Sequence, residues 1–187
     1  ASGSPELTTF AEDVLRGLSS TPKNLSSKYF YDDEGSRLFQ EIMKLPEYYL
    51  TRAEYKLFSE QAGAIAAAFT GDAAEIDLIE LGAGDGTKTA VLIEHLLEEN
   101  VEFTYSPIDI SKEACDALSQ KFSAKFPALT VKPHHGDYFS ILDSLRDASG
   151  VRKVILFRGS NIGNFSREEA VSFFRHLRSV MNPADRI

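Results

Sequence analysis

The chain has 187 residues, of which 43% are apolar, and a formal net charge of −8 with a pI near 5.0. This length supports one sizeable hydrophobic core. Nucleic-acid binding needs a clustered excess of Lys and Arg, so the acidic charge favours small-molecule partners and no nucleic acid. No apolar run is long enough to span a membrane and the start does not resemble a signal peptide, so we expect a cytoplasmic protein without a membrane partner. The single cysteine, Cys115, fits a reducing compartment.

Apolar residues recur at helical spacing through the first 70 residues. The spacing predicts helices around residues 10–15, 38–42 and 51–69. The aromatic and polar stretch 26–32 should be irregular, and Pro46 should end a helix. We therefore predict that residues 1–70 form a helical layer.

From Gly71 onward, short apolar runs alternate with amphipathic stretches. This alternation is typical of a parallel sheet covered by helices on both faces, so it predicts a doubly wound α/β domain over residues 71–187. The predicted strands cover residues 76–81, 102–109, 129–134 and 151–157. The predicted helices cover residues 87–99, 112–126, 139–145 and 167–181.

The last two residues, Arg186 and Ile187, follow a turn that should lead into a fifth strand. We expect a truncated chain whose sheet is incomplete. An unpaired strand edge invites pairing with another chain, so edge-strand pairing is a candidate interaction. The alternative is a complete small domain in which a helix covers that edge.

A glycine-rich turn provides the strongest local motif. The predicted strand 76–81 leads directly into Gly82, Gly84 and Gly86, and a predicted helix begins at Thr87. Such a turn lets the backbone approach a nucleotide-like ligand closely. Dinucleotide-binding proteins usually carry a glycine where this chain has Thr87, so the motif favours S-adenosylmethionine over NAD. The alternative is a strand-to-helix turn without a ligand.

Acidic and aromatic residues follow the next two predicted strands. Asp109 ends the second strand, about twenty residues beyond the glycines, where a carboxylate can accept hydrogen bonds from ribose hydroxyls. Asp137 and Tyr138 follow the third strand, where they could meet the amino group and the face of adenine. The alternatives are a helix cap for Asp109, although Ser111 can take that role, and a turn with a buried tyrosine at Tyr138.

Two further positions suggest contact with an amino-acid group. Lys88 lies in the first turn of a helix, where the helix dipole disfavours a cation, so it should have an anionic partner such as the carboxylate of the methionine moiety. The loop 158–165 follows the fourth strand, and its Asn164 can both donate to a carboxylate and accept from an amine. An exposed lysine without a role and a helix cap at Asn164 are the alternatives. The histidines lack partners at metal-ligand spacing, so we expect no metal site.

Four separated segments together resemble the L-histidine Nα-methyltransferase family of ergothioneine biosynthesis. The segments are Lys28–Asp32 with Gly35 and Ser36, Leu45–Tyr49 with Thr51, Arg52 and Glu54, Glu80–Gly82 with Lys88 and Thr89, and Gly159–Ser160 with Ile162–Asn164. The resemblance implies a Rossmann-like class I methyltransferase sheet. It also implies a later substrate-binding portion, whereas the present sequence ends at Ile187.

The resemblance also implies roles for particular residues. Gly82, Lys88, Asp109, Asp137 and Tyr138 would bind S-adenosylmethionine, in agreement with the motifs. The amino-acid pocket would be formed by Tyr31, Phe39, Tyr48, Gly159 and Asn164. The implied reaction is methylation of the α-amino group of an amino acid, histidine first of all, with Tyr31, Tyr48 and Asn164 orienting the substrate. Without the later portion, we expect the chain to turn over poorly or not at all.

Two departures from the family and three alternative functions remain. Arg158 stands where the family often has an apolar residue, and Asn161 where it often has Thr, so the pocket could differ. The substrate could instead be another amino acid or a tryptophan derivative. A non-catalytic cofactor-binding or assembly module and a nicotinamide-dependent oxidoreductase are the other hypotheses.

Overall fold

The structure, a computed structural model, describes residues 5–30, 32–144 and 150–187. Within the described residues, three helices precede the sheet, as the spacing predicts, and a short 3-10 helix lies in the stretch that the sequence predicts to be irregular. They are α1 (Pro5–Ser19), a 3-10 helix (Ser27–Phe30), α2 (Asp33–Met43) and α3 (Leu50–Thr70). Helix α2 ends three residues before Pro46, in line with the inability of proline to continue a helix.

A parallel sheet follows, and its strand order confirms the doubly wound α/β class. The strands are β1 (Glu75–Leu81), β2 (Glu102–Asp109), β3 (Thr130–Val131), β4 (His134–His135) and β5 (Arg152–Phe157). Their order is β3-β2-β1-β5, and β4 also pairs with β2. All of these pairings are parallel.

The third predicted strand is wrong in one respect. The continuous strand expected over residues 129–134 is two separate pairs, β3 and β4, on the same neighbour β2. Pro133 stands between them and has no N–H to contribute to the ladder. The backbone nitrogen of Lys132 still donates to the carbonyl of Tyr105 at 2.8 Å, so the segment stays against β2 through the interruption.

In the described parts of the chain, three more helices connect the strands and a fourth follows β5. They are α4 (Thr87–Glu98), α5 (Lys112–Lys125), α6 (Tyr138–Ser144) and α7 (Arg167–Val180). Ser111 caps α5 by accepting from the nitrogen of Ala114, and Ser166 forms a capping box with Glu169 at the start of α7. The cap at Ser111 was predicted from the sequence, and the cap at Ser166 shows that Asn164 does not cap α7. Among the described residues, no helix combines the length and the apolar character that a membrane crossing requires.

Each face of the sheet has its own hydrophobic core. Ile76 and Leu78 of β1 pack on one face, with apolar side chains of α3, α4 and α5. Ile79 and Leu81 of β1 pack on the other face, with α6 and α7. Helix α3 therefore shares a core with the sheet, while the predicted division of the chain at residue 70 remains a prediction.

The strand order defines where a ligand crevice can form. The chain moves from β1 outward to β2, β3 and β4, and then returns to place β5 on the other side of β1. In a doubly wound sheet, a crevice opens at this reversal, beyond the carboxyl ends of the strands. At the outer side of β5, Arg186 forms a parallel bridge with Val154, at the place expected for a following strand.

Candidate functional site

The glycine turn after β1 adopts the backbone conformation that its sequence predicts. Gly82, Gly84 and Gly86 have φ angles of 71°, 56° and 66°, in the left-handed region that disfavours side chains. A Cβ on Gly86 would lie 2.4 Å from Leu118, so this glycine lets α5 pack closely on the turn. A Cβ on Gly84 would meet no atom within 4 Å, so the turn is open to solvent there.

Asp109 lies beside this open part of the turn. One of its carboxylate oxygens accepts a hydrogen bond from the nitrogen of Gly84 at 3.3 Å, and the other accepts from the nitrogen of Ser111 at 3.0 Å. A carboxylate has about four acceptor positions, so two remain for another donor. The sheet thus brings together the glycine turn and Asp109, as predicted from the ends of β1 and β2.

Tyr138 lies over the first glycine of the turn. A Cβ on Gly82 would approach the hydroxyl of Tyr138 to 2.7 Å and the side-chain nitrogen of Asn161 to 2.6 Å. The same Asn161 nitrogen donates to the carbonyl of Leu81 at 3.2 Å. Asn161 therefore ties the loop after β5 to the end of β1, a role for this departure from the family that the sequence did not indicate.

Asp137 is exposed and acts as a cap for α6. Its carboxylate accepts hydrogen bonds from the nitrogen of Ser140 at 3.1 Å and from the hydroxyl of Ser140 at 2.6 Å. These bonds to Ser140 lower the pKa of Asp137 below its usual value. Tyr138 next to it is half-buried, with its ring 6.4 Å from that of Phe157.

Lys88 has an anionic partner within the chain. Its ammonium group pairs with the carboxylate of Glu54, which projects from α3, and the two side chains are only 16% and 26% exposed. Burial acts to raise the pKa of Glu54, but the hydrogen bond and charge of Lys88 outweigh burial and leave the pKa below its usual value. The sequence predicted an anion beside Lys88 but not this carboxylate, because Glu54 lies 34 residues away.

The loop after β5 makes hydrogen bonds with the first part of the chain. The nitrogen of Gly159 donates to the other carboxylate oxygen of Glu54 at 2.9 Å. The hydroxyl of Ser27 donates to the side-chain oxygen of Asn164 at 3.2 Å. Gly159 and Asn164, both predicted pocket residues, are therefore contacted by segments from the helical layer.

Two of the predicted aromatic pocket residues meet near the end of α2: Phe39 lies in α2, and Tyr48 lies on the segment between α2 and α3. The rings of Phe39 and Tyr48 meet edge to face, with centroids 5.7 Å apart. The guanidinium group of Arg52 donates to the carbonyls of Leu45 at 3.0 Å and Tyr48 at 3.4 Å, which fixes the turn that carries Tyr48. Tyr31, the third predicted aromatic residue, lies outside the described residues.

A buried polar network beneath the turn was missed by the sequence analysis. Glu80 in β1 is fully buried and pairs with Arg158 at the end of β5. The same carboxylate accepts hydrogen bonds from the hydroxyls of Thr89 at 2.7 Å and Tyr105 at 2.5 Å. Burial, followed by the charge of Glu80, raises the pKa of Tyr105 well above its usual value, so the phenol remains a donor.

The position of Glu80 in the sequence is a signal for part of this network. Glu80 lies on the same face of β1 as Ile76 and Leu78, and a carboxylate on that otherwise apolar face needs a buried partner. Its cation, Arg158, lies 78 residues further along the chain, and its guanidinium also lies over the ring of Phe58, at 5.3 Å from the centroid. This partner could not be identified by local spacing.

An open cleft of about 640 Å³ lies beside the start of α5. It is bounded by Asp32 on one side and by Ile110, Ser111 and the outer face of α5 on the other. None of the glycine-turn residues lines it. Within the described parts of the chain, no group of His, Cys, Asp or Glu side chains is arranged to hold a metal ion.

Comparison with known proteins gives one family and two informative relatives. A family model described as SAM-dependent, histidine-specific methyltransferase matches residues 10–187. A histidine N-alpha-methyltransferase of Mycobacterium tuberculosis is 34% identical over 173 residues, which cover 92% of this chain and 52% of that protein. Ergothioneine biosynthesis protein 1 of Neurospora crassa is 33% identical over 171 residues, covering 89% of this chain and 19% of that protein. The chain thus spans about half the length of the mycobacterial relative.

A solved structure supports the fold. The magnesium protoporphyrin IX methyltransferase of Synechocystis, determined with bound S-adenosylhomocysteine, superimposes with a TM-score of 0.55 at 16% identity. The similarity covers 82% of this chain and 66% of that one. At this identity the likeness concerns the fold alone, and it agrees with the Rossmann-like sheet predicted from the sequence.

Proposed function

The chain belongs to the family of SAM-dependent, histidine-specific methyltransferases, and from that premise we propose that it binds S-adenosylmethionine and takes part in methylating the α-amino group of histidine. The observation that carries the proposal is the open glycine turn beside Asp109, at the reversal of strand order. The choice of histidine is supported by the family and by the mycobacterial relative.

The residues around the turn fit the parts of this cofactor. The open side of Gly84 admits a ligand against the backbone, and the free acceptor positions of Asp109 suit ribose hydroxyls. Gly82 and Gly86 shape the turn, and Tyr138 with Asp137 would meet the adenine. The ammonium group of Lys88 would pair with the carboxylate of the methionine moiety, and Glu54 would remain its partner within the chain. When bound, S-adenosylmethionine supplies an activated methyl group.

The remaining predicted residues would hold the amino acid. Tyr31, Tyr48 and Asn164 orient its backbone, while Phe39 and Gly159 line the pocket. Alignment is the protein's main contribution to this chemistry, because the donor is already activated and a neutral amine is a sufficient nucleophile. The contact of Ser27 with Asn164 and that of Glu54 with Gly159 bring the helical layer to this loop.

The cofactor assignment is tested by calorimetric titration with S-adenosylhomocysteine on the protein at its full natural length. We expect saturable binding that Asp109→Asn weakens about tenfold or more, because hydrogen bonds to a charged group contribute about 1.5–3 kcal/mol. Asp116→Asn is the matched control, since Asp116 is an exposed residue of α5 that pairs with Lys112. A folded protein that does not bind S-adenosylhomocysteine would contradict the proposal.

The substrate assignment is tested separately. Transfer of a labelled methyl group is measured with histidine, tryptophan and other amino acids, and the product is identified by mass. We expect label on the α-amino group of histidine. Label on tryptophan alone would overturn the substrate while leaving the cofactor assignment intact, and cofactor binding without transfer to any amino acid would favour a non-catalytic module.

A further inference from the structure

A single carboxylate connects three segments of the candidate site. Glu54 lies in α3, and one of its oxygens pairs with Lys88 in the first turn of α4. Its other oxygen accepts a hydrogen bond at 2.9 Å from the nitrogen of Gly159, in the loop after β5. Lys88 and Gly159 also approach each other, because a Cβ on Gly159 would lie 3.7 Å from the Lys88 ammonium nitrogen.

These contacts differ from the ion pairs on the surface of the chain. Lys56 and Glu60, which both lie in α3, are 72% and 59% exposed. Glu54 and Lys88 are largely covered, and they join parts of the chain 34 residues apart. The bond to Gly159 spans 105 residues. An exposed pair contributes little, whereas a covered carboxylate with a charged partner and a backbone donor holds its neighbours in one geometry.

The chemistry of each partner makes the carboxylate necessary. A cation in the first turn of a helix is opposed by the helix dipole, so Lys88 needs a nearby anion to stay there. Gly159 is half-buried with a φ of 74°, which glycine adopts readily, and its backbone nitrogen obtains an acceptor from Glu54. Loss of the charge at Glu54 would remove the ion pair with Lys88 and weaken the hydrogen bond from Gly159, because a charged acceptor binds a donor more strongly than a neutral one.

We propose that Glu54 is a positioning residue that couples occupancy of the cofactor site to occupancy of the amino-acid site. The inference rests on the proposed function, in which Lys88 serves the cofactor and Gly159 the amino acid. A ligand that orders either partner also orders Glu54, so the second ligand binds to a site that is already arranged. The coupling must be reciprocal, since each ligand changes the affinity of the other by the same factor.

The test is a comparison of Glu54→Gln with Glu60→Gln in the protein at its full natural length. Glutamine keeps the length of the side chain and an oxygen that can accept from Gly159, but it removes the charge beside Lys88. The dissociation constant of S-adenosylhomocysteine is measured by calorimetry without histidine and with saturating histidine. We expect histidine to tighten binding about tenfold in the wild type and in Glu60→Gln, and twofold or less in Glu54→Gln.

Each outcome decides the inference. Equal tightening in Glu54→Gln and the wild type would overturn it, as would a wild type in which both ligands bind independently. A folded wild type that does not bind S-adenosylhomocysteine would overturn the proposed function itself, which is a distinguishable result. If Glu54→Gln does not fold, Glu54→Asp replaces it, because the shorter carboxylate cannot reach both partners; full coupling in that variant would equally contradict the inference.

Discussion

The segment before α3 and the sheet with its covering helices bury their apolar side chains to very different extents. Leu15 in α1 is 71% exposed and Phe30 is 66% exposed, whereas Leu78 in β1 and Leu92 in α4 are fully buried. Between residues 9 and 49, none of the large apolar side chains whose exposure the structure describes is buried. Both regions have regular helices with apolar stripes, so an amphipathic pattern by itself does not produce burial.

This difference in burial indicates which part of the chain contributes most to its free energy of unfolding. Apolar surface stabilises a fold only when another element removes it from water. Helices α3 to α7 lie against a sheet that presents two apolar faces, while the stripes of α1 and α2 make mainly local ring contacts, such as Phe10 with Tyr29 at 4.7 Å. We therefore expect substitutions in the two regions to have effects of different size.

The largest effect is expected in the sheet, from the loss of its buried cation. Arg158→Leu leaves the carboxylate of Glu80 buried without a positive partner, and breaking such a pair costs roughly 3–5 kcal/mol. The free energy of unfolding, measured with urea, should fall by that amount. Adding Glu80→Gln should restore much of the loss, because the amide can still accept from Thr89 and Tyr105. If Arg158→Leu alone were as stable as the wild type, Arg158 would not compensate the charge of the Glu80 carboxylate.

A pair of leucine substitutions tests the comparison directly. Leu92→Ala opens a cavity in the core between α4 and the sheet, and we expect a loss of about 3 kcal/mol in the free energy of unfolding. Leu15→Ala changes an exposed helical residue in the same way, and the loss should stay below about 0.5 kcal/mol. If the two variants of this chain lost similar amounts of unfolding free energy, the apolar side chains of α1 would be buried in solution.

A smaller effect than that of Leu92→Ala, and of opposite sign, concerns Asp77, a half-buried carboxylate in β1. Burial raises the pKa of Asp77 above its usual value, although the hydroxyl of Ser106 donates to it at 2.7 Å. The folded state therefore holds the proton more tightly than the unfolded state, so Asp77 favours folding at low pH and loses this contribution as the pH rises through its raised pKa. Asp77→Asn should increase the free energy of unfolding by about 1 kcal/mol at pH 7.

The pH dependence distinguishes this explanation from a general effect of the substitution. The gain from Asp77→Asn should be largest at neutral pH and should vanish near pH 3, below the usual Asp pKa of about 3.9. Urea unfolding of both proteins across this range provides the measurement. Asp116→Asn, at an exposed carboxylate, serves as the control and should change the free energy of unfolding by less than about 0.5 kcal/mol at either pH.

Sequence patterns predicted most of the elements to within one or two residues because local periodicity, caps and glycines determine them. Ser111 and Ser166 mark the starts of α5 and α7, and the glycines mark the turn after β1. The third predicted strand is interrupted because Pro133 has no N–H to contribute to the ladder, a local break that the apolar pattern of residues 129–134 does not show. The proximity of Asp109 to Gly84 was predictable too, since parallel neighbouring strands end at the same edge of a sheet.

The sequence by itself therefore determined the order of helices and strands, the parallel α/β class and the turn at which a ligand can approach the backbone, because each depends on neighbours in the chain. Only the tertiary structure decided which charges meet. Glu54 reaches Lys88 and Gly159, and Glu80 reaches Arg158, across tens of residues. Such pairs depend on how helices and loops are packed around the sheet, and electrostatic contacts between distant segments leave no periodic pattern in a single sequence.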